Sequence, residues 1–424
     1  MILACANGRA DSLVLEGRVL APAQGIDECL RITVRDGVIA ALEPAPAGPL
    51  VVVPAFVDVH AHLRTPGRED EETIRSGTEA AAAGGYCVLL AMPNTDPVVD
   101  CVSVLGSLVA RAREEALVPT GFLAAISKGQ RGEDLTEMLD LAGAGAAGFS
   151  DDGRPVVSAG LLRRALQYAG PTGRPLALHC EEPTLSRGGQ MHEGPVSAEL
   201  GLGPYPSAAE SVMVERDLSL AAYEGRSLHL QHLSARESVD ALRRARAAGV
   251  RASGEVTPHH LCLTDEAVRS LDPNLKMNPP LRSGADRAAL LDAVREGTIE
   301  AIATDHAPHA REEKEAPFEE APFGVTGLET AFAALHTHLV LPGLLSLETL
   351  LERLSSGPAR LFGLPEPRVE VGARANLAVL DLDAEWEVRA DGFRSRSANS
   401  WLLGARLRGR VVRTLADGRE VFAA

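Results

Sequence analysis

The sequence predicts an α/β protein, a (β/α)8 TIM-type barrel carrying a small β-sandwich module formed by both termini. Three observations predict it. Eight apolar runs alternate with helix-like amphipathic segments through the middle of the chain. The two ends share another texture, short β-rich pieces punctuated by Asp-Gly turns. Polar residues able to bind metal recur at the C-terminal ends of the apolar runs, the face where such a barrel carries its site.

The elements follow in order. Residues 12–20, 30–34 and 38–42 read as strands, with Asp36-Gly37 as the hairpin turn between the last two. The tail repeats the pattern at 375–380, 408–415 and 420–422, with Asp417-Gly418 before the last strand. Pro- and Gly-rich stretches at 44–49 and 363–372 mark boundaries. Residues 1–54 with 365–424 are therefore expected to form the composite module, and 55–364 the catalytic barrel. Barrel strands are expected in the runs 50–59, 86–92, 120–126, 146–150, 175–179, 227–232, 250–256 and 299–304. Helices are expected at 71–83, 158–169, 234–248 and 286–296, with Gly249 and Gly297 as C-caps.

A chain of 424 residues, 45% hydrophobic, can bury a large core. A formal charge of -16 argues against a nucleic-acid backbone or an anionic membrane as partner. It leaves room for an anionic small molecule gripped by local arginines or a metal. The N-terminal residues Met1 to Ala6 lack the basic region and long apolar core of a signal peptide. No run is long enough for a membrane span. The 6 cysteines are scattered with no Cys-x-x-Cys and read as reduced thiols. A soluble cytoplasmic protein is expected. The only lysines are Lys128, Lys276 and Lys314, and arginine carries the remaining positive charge.

The most informative stretch is Val57-Asp58-Val59-His60-Ala61-His62-Leu63-Arg64. Side chains alternate along a strand, so His60 and His62 point to one side and can share a divalent metal, zinc above all. One such pair is weak evidence; the ends of the other runs strengthen it. They read Met92-Pro93-Asn94-Thr95, Phe149-Ser150-Asp151-Asp152-Gly153, His179-Cys180-Glu181-Glu182, Gln231-His232-Leu233-Ser234 and Thr304-Asp305-His306-Ala307-Pro308-His309. A single buried histidine is most simply a hydrogen-bonded core residue. That explanation does not cover six motifs at the same ends of their strands.

The ordered set resembles the metal site of the amidohydrolase superfamily. The fuller wording is similar to class I dihydroorotases. It lies in residues 58–67, in Met277-Asn278-Pro279-Pro280-Leu281-Arg282, and in Pro322-Phe323-Gly324-Val325-Thr326-Gly327-Leu328-Glu329. The likeness runs nearly end to end. It implies a zinc-dependent hydrolase, with one or two Zn2+ per chain and two favoured, interconverting L-dihydroorotate and N-carbamoyl-L-aspartate in pyrimidine synthesis.

With chemistry and resemblance together, His60, His62 and Asp305 would hold one metal, and His179 and His232 the second. The bridging ligand must be anionic. Hydantoinase relatives use a carbamylated lysine, but no lysine lies between Lys128 and Lys276. In class I dihydroorotases an aspartate bridges; Asp152 is its match, and Asp151 is expected to orient neighbours through hydrogen bonds. Two metals sharing a water would lower its pKa and polarise the scissile carbonyl. Asp305 would act as general base and then acid. Arg64 would grip the substrate carboxylate, helped by Asn94 and His309. Asn278 suits the ureido edge, His62 borders the substrate, and the backbone at Phe323 and Gly324 adds contacts.

The remaining polar features have plainer readings. His192 and His229 look incidental, and His336 and His338 do not share a helix face. His259 and His260 fit a supporting or a structural role equally well. Cys180 is expected to be packed. The acidic run 311–315 fits a solvated loop, or part of a lid over residues 310–322. The resemblance also implies a homodimer and allows association with aspartate transcarbamoylase. The competing functions are an allantoinase or hydantoinase, and an inactive dihydroorotase-like scaffold for the transcarbamoylase.

Overall fold

The computed structural model describes residues 1–8 and 10–424. The strands, in chain order, begin with β1 (Leu13–Ala21), β2 (Ile26–Arg35), β3 (Val38–Pro44) and β4 (Val51–Pro54). Then come β5 (Phe56–Ala61), β6 (Tyr86–Ala91), β7 (Thr120–Phe122) and β8 (Ala177–Leu178). A short pair, β9 (Met191–His192) and β10 (Pro204–Tyr205), precedes β11 (Leu228–Leu230), β12 (Ala252–Val256) and β13 (Ala301–Ile302). The chain closes with β14 (Leu377–Glu387), β15 (Arg406–Ala416) and β16 (Arg419–Ala423).

The two termini build one 7-stranded sheet in the order β16-β15-β14-β4-β1-β2-β3. Its strands share a core of their own that includes Val19, Ile32, Ile39, Val52, Leu377 and Leu415. Both expected Asp-Gly turns form: φ is 49° at Asp36 and 76° at Gly37, and 46° at Asp417 and 73° at Gly418. These are the positive angles that a two-residue hairpin of this twist demands. The two turns also touch. A Cβ on Gly418 would stand 2.4 Å from the Gly37 carbonyl oxygen, so the contact that ties the ends together requires glycine.

The middle of the chain is an alternation of parallel strands and helices. Parallel pairing joins β5 to β6 and β6 to β7. It continues through single bridges, Ala124 to Phe149 and Phe149 to Leu176. It then runs from β8 to β11, β12 and β13. A further parallel bridge pairs His306 with Ala61 of β5. The expected run 50–59 divides at Ala55, because the backbone changes partner there. Ala55 N bonds Asn376 O in the terminal sheet at 3.0 Å, and Phe56 N bonds Gly85 O beside β6 at 2.8 Å. The expected strand 146–150 is reduced to the bridges at Phe149. Beneath the strand ends lies one large core containing Phe56, Tyr86, Leu123, Phe149 and Ile302. Each such aliphatic or phenylalanine side chain contributes about 1.5–3 kcal/mol on burial.

Capping places the helices. Thr73 and Ser76 form a reciprocal capping box at the start of the helix Ile74–Ala83, and Ser283 and Asp286 do the same for Gly284–Glu296. The helix expected from residue 71 starts later because Glu71 and Glu72 are drawn into buried polar contacts. That expected from residue 234 starts at Arg236, since the backbone N of Ser234 goes to Glu210 at 3.1 Å. Gly297, at φ 84°, ends its helix as expected. The acidic run is solvated at Arg311, Glu312 and Glu315, as expected, but it is not simply a loop. It contains the short helix Arg311–Lys314, and Lys314 is buried, donating to the carbonyls of Pro322 at 2.7 Å and Pro273 at 3.0 Å. Among the described residues, no helix is long and apolar enough to cross a membrane.

Candidate active site

The histidines and aspartates singled out at the strand ends converge. His60 and His62 come from β5 and the residue just after it, Asp152 follows the Phe149 bridge, and His179 and His232 follow β8 and β11. Asp305 lies just beyond β13. Asp305 Oδ1 is 3.1 Å from His62 Nε2 and 3.4 Å from His60 Nε2. Asp152 lies between the histidines: Oδ1 is 3.4 Å from His60 Nε2, 3.4 Å from His232 Nε2 and 3.8 Å from His179 Nδ1. Its Oδ2 is 3.5 Å from His62 Nε2. Two donor groups result, His60 with His62 and Asp305, and His60 with Asp152 and His232, the atoms of each within 4.8 Å of one another. His60 thus belongs to both groups, whereas the sequence suggested His179 and His232 as a separate pair; those two rings touch, Nδ1 to Nε2, at 2.9 Å.

The donor chemistry fits a divalent cation. The Nδ1 of His60 faces Glu255 Oε1 at 2.5 Å, which leaves Nε2 as the lone-pair nitrogen of the neutral ring. That Nε2 and Asp152 Oδ1 are both buried and lack hydrogen-bond partners, although they face each other. Two acceptors opposed in this way repel unless a positive charge lies between them. The field is uneven for the same reason. A proton on Nε2 answers the same demand as a cation: burial opposes a charged His60, but Asp152, Glu255 and Asp305 outweigh it and raise its pKa well above the ordinary value. Burial would raise Asp305 too, yet His60 and His62 prevail and hold it below the carboxylate range.

Backbone geometry turns these residues inward. Arg64, His232 and Asp305 have φ of 54°, 31° and 48°. Left-handed angles at non-glycine residues cost about 1–3 kcal/mol each and gather at sites where the surroundings enforce them. Asp58 ties the first strand to the last, accepting from Thr304 N at 3.1 Å, Thr304 Oγ1 at 2.5 Å and His60 N at 3.2 Å. Asp151 accepts from Ile126 N at 2.8 Å, Ser127 N at 3.1 Å and the Ser127 hydroxyl, and so anchors a loop while its neighbour enters the cluster.

A cavity of about 270 Å³ opens onto the cluster. Its wall includes His62, Asp152, His179, His232 and Asp305 with Arg64, Asn94, Asn278, His309, Phe323 and Gly324. Of the residues expected to line the site only His60 is absent from that wall; it is fully buried behind it. Asn94 links the two sides, its Oδ1 2.9 Å from His62 Nδ1 and its Nδ2 3.4 Å from Asp152 Oδ2. Arg64 Nε is 3.0 Å from Glu71 Oε2 and 3.1 Å from Pro308 O. His309 Nε2 donates to the Phe323 carbonyl at 2.8 Å. Asn278 Nδ2 donates to Glu181 at 3.0 Å, and its Oδ1 is buried without a partner.

Several supporting residues were not anticipated. Glu255 joins His60 to His229, whose Nε2 is 2.9 Å from Glu255 Oε2, so His229 is not incidental. Burial would raise the Glu255 carboxyl, but His60 and His229 bring it down to about 2. Glu181 does the same work behind His179, 2.9 Å from its Nε2, and is likewise lowered to about 2 against the effect of burial. Asn399, far along the chain, accepts from His309 N at 3.1 Å and donates to Ala307 O at 3.1 Å and Gly324 O at 3.2 Å. A glutamate inside the apolar run 250–256 was a usable signal for Glu255, since buried glutamates are rarely unpaired. Nothing local marked Asn399. Of the remaining histidines, His260 bonds Thr257 Oγ1 at 2.7 Å and Pro279 O at 3.0 Å, while His336 bonds Arg408 O at 2.9 Å. Cys180 is buried, its thiol 3.5 Å from Asp217 Oδ2.

A family model described as dihydro-orotase-like matches residues 49–238. A dihydroorotase of Syntrophus aciditrophicus is 44% identical over 421 residues, covering 97% of this chain and 99% of that protein. One from Anaeromyxobacter dehalogenans is 45% identical over 425 residues, covering 97% and 98%. Among solved structures, the L-hydantoinase (dihydropyrimidinase) of Arthrobacter aurescens aligns with a TM-score of 0.86 at 26% identity, over 97% of this chain and 96% of its own. A D-hydantoinase aligns at 0.82 with 22% identity, over 97% and 95%, and shows the shared fold alone.

Proposed function

The chain belongs to the dihydroorotase family, and on that premise we propose that it interconverts L-dihydroorotate and N-carbamoyl-L-aspartate. One observation carries the proposal: a single cavity is lined both by Arg64, Asn94, Asn278 and His309 and by a cluster of histidines and aspartates. A hydantoin has no carboxylate for such a wall to recognise. The bridging position would fall to Asp152, where the hydantoinase pattern needs a lysine that this chain lacks from residue 129 to 275.

We assign His60, His62, Asp152, His179, His232 and Asp305 as ligands of one or two zinc ions, two being favoured by the twin donor groups. When bound, zinc would supply an activated water and polarise the carbonyl under attack. The chain does the rest. Arg64 offers a permanent planar cation to the substrate α-carboxylate, with Asn94 and His309 beside it. The unpartnered Oδ1 of Asn278 accepts from a ureido N–H. Asp305, held ionised by its histidine neighbours, takes the proton of the attacking water and returns it to the ring nitrogen as the amide opens. In the direction of ring closure the same carboxylate removes the proton from the carbamoyl nitrogen.

We also take the parallel pairings that return from His306 to Ala61 as a closed (β/α)8 barrel of residues 55–364, with 1–54 and 365–424 as the second module. Homodimer formation, a cytoplasmic location and association with aspartate transcarbamoylase rest on family resemblance. The direct test is turnover of N-carbamoyl-L-aspartate against hydantoin and allantoin by zinc-loaded protein. Preference for the first by about 10³-fold or more is expected, the scale at which polar recognition discriminates. Preferential turnover of either rival would overturn the assignment. Purified protein that neither holds zinc nor gains activity from it would instead be a scaffold.

A further inference from the structure

Glu71 is 1% exposed, and the cost of burying a carboxylate has to be offset by partners. Its partners come from both halves of the proposed grip. Oε2 lies 3.0 Å from Arg64 Nε, and Oε1 lies 3.2 Å from His309 Nδ1, 238 residues further along the chain. Arg64 and His309 line the cavity, whereas Glu71 does not. We propose that Glu71 is a positioning residue, fixing the spacing between Arg64 and His309 and so the place where a substrate carboxylate is held. This rests on the assignment of those two residues to carboxylate binding.

The geometry suits that role. Glu71 meets Arg64 through Nε, the nitrogen nearest the chain, so the two terminal nitrogens are not spent on it. It meets His309 through Nδ1; Nε2 donates to the Phe323 carbonyl and reaches a carboxylate by exchanging that bond for it. Glu71 is itself fixed from outside. Arg68 Nη2 spans Glu71 Oε1 at 2.8 Å and Glu313 Oε1 at 2.7 Å, and the Ser397 hydroxyl donates to the Glu71 carbonyl at 2.7 Å. A carboxylate present only to neutralise one arginine needs one partner. Here it spans two groups whose separation sets the fit to a third, and a misplacement of about 1 Å in such an arrangement can cost on the order of 100-fold.

The test is Glu71→Gln, which keeps the shape and removes the charge. KM for N-carbamoyl-L-aspartate is expected to rise about 10- to 100-fold with kcat changed by less than about 3-fold, at unchanged zinc content. Adding Glu71→Gln to Arg64→Met should cost clearly less than the sum of the two single losses, because part of the Glu71 effect passes through Arg64 and the rest through His309. A fall in kcat at constant KM, or fully additive losses, would overturn the proposal. A crystal structure of Glu71→Gln decides the matter without turnover. The Arg64 guanidinium and the His309 ring should both move by about 1 Å or more; both remaining in place would refute the positioning role. Zinc-loaded wild-type protein inactive on N-carbamoyl-L-aspartate would sink the dihydroorotase assignment instead, and the crystal structure would still judge Glu71.

Discussion

The histidine–aspartate cluster and the carboxylate-gripping wall share one cavity but are held in different ways. Cluster residues sit at or within a few residues of paired strand positions, and backbone pairing sets most of their direction. Their rear atoms are fixed by carboxylates in the same layer, Glu255 behind His60 and Glu181 behind His179. The grip stands on loops. Arg64 is met by Glu71, and His309 by Glu71, Asn399 and Glu313 of the short helix Arg311–Lys314, segments brought together from across the chain. The proposed metal site is thus written into the strand ends, while the proposed carboxylate grip depends on long-range ion pairs. Mutations in the cluster should abolish activity, and mutations in the grip should retune affinity.

The sharpest way to break this contrast is at the adjacent aspartates. Asp152→Ala is expected to lose zinc and to lower turnover about 10³-fold or more, equivalent to about 4 kcal/mol of barrier. Asp151→Ala should keep zinc and lose only about 1–3 kcal/mol of stability, from the loop amides it leaves unpaired. Metal analysis and steady-state kinetics on both variants check it. Zinc lost from Asp151→Ala and retained by Asp152→Ala would reverse the assignment.

A smaller effect is expected one layer back. Glu255→Gln should weaken zinc binding about 10- to 100-fold, measured by chelator competition, with the fold intact. An unchanged affinity would mean that the strand alone orients His60.

A comparable effect, on stability alone, is expected beside Cys180, where burial raises the Asp217 carboxyl to about 6 against the opposing pull of Arg216. The folded state then favours the protonated form. Its contribution to stability is present below about pH 4 and is lost as pH rises through about 6. Denaturant unfolding across that range should show wild type losing on the order of 2 kcal/mol relative to Asp217→Asn. Parallel profiles for the two proteins would remove the effect.

Much of the cluster was legible because strand alternation is local. His60 and His62 share a side for that reason, and the other motifs each followed an apolar run. The choice of Asp152 over Asp151 needed the family resemblance, and the geometry in which it faces four histidines now supports it. What was not legible depended on distant partners. His229 looked incidental until Glu255 linked it to His60. The burial of Lys314 inside the otherwise solvated acidic run 311–315 was not legible, because the carbonyls that hold it belong to Pro273 and Pro322. The break at Ala55 lies inside one apolar run, and only the change of hydrogen-bond partner divides it.

The sequence by itself determined the alternation of strands and helices, the Asp-Gly turns, the C-cap at Gly297 and the identity of the metal-competent groups. Each of these follows from periodicity or local backbone preference over a few residues. Tertiary structure decided which histidine serves both donor groups, which carboxylates fix them from behind, and how Glu71 and Asn399 reach His309 from behind the cavity wall. Those outcomes depend on distances between segments hundreds of residues apart, set by packing and by the need to pair every buried charge.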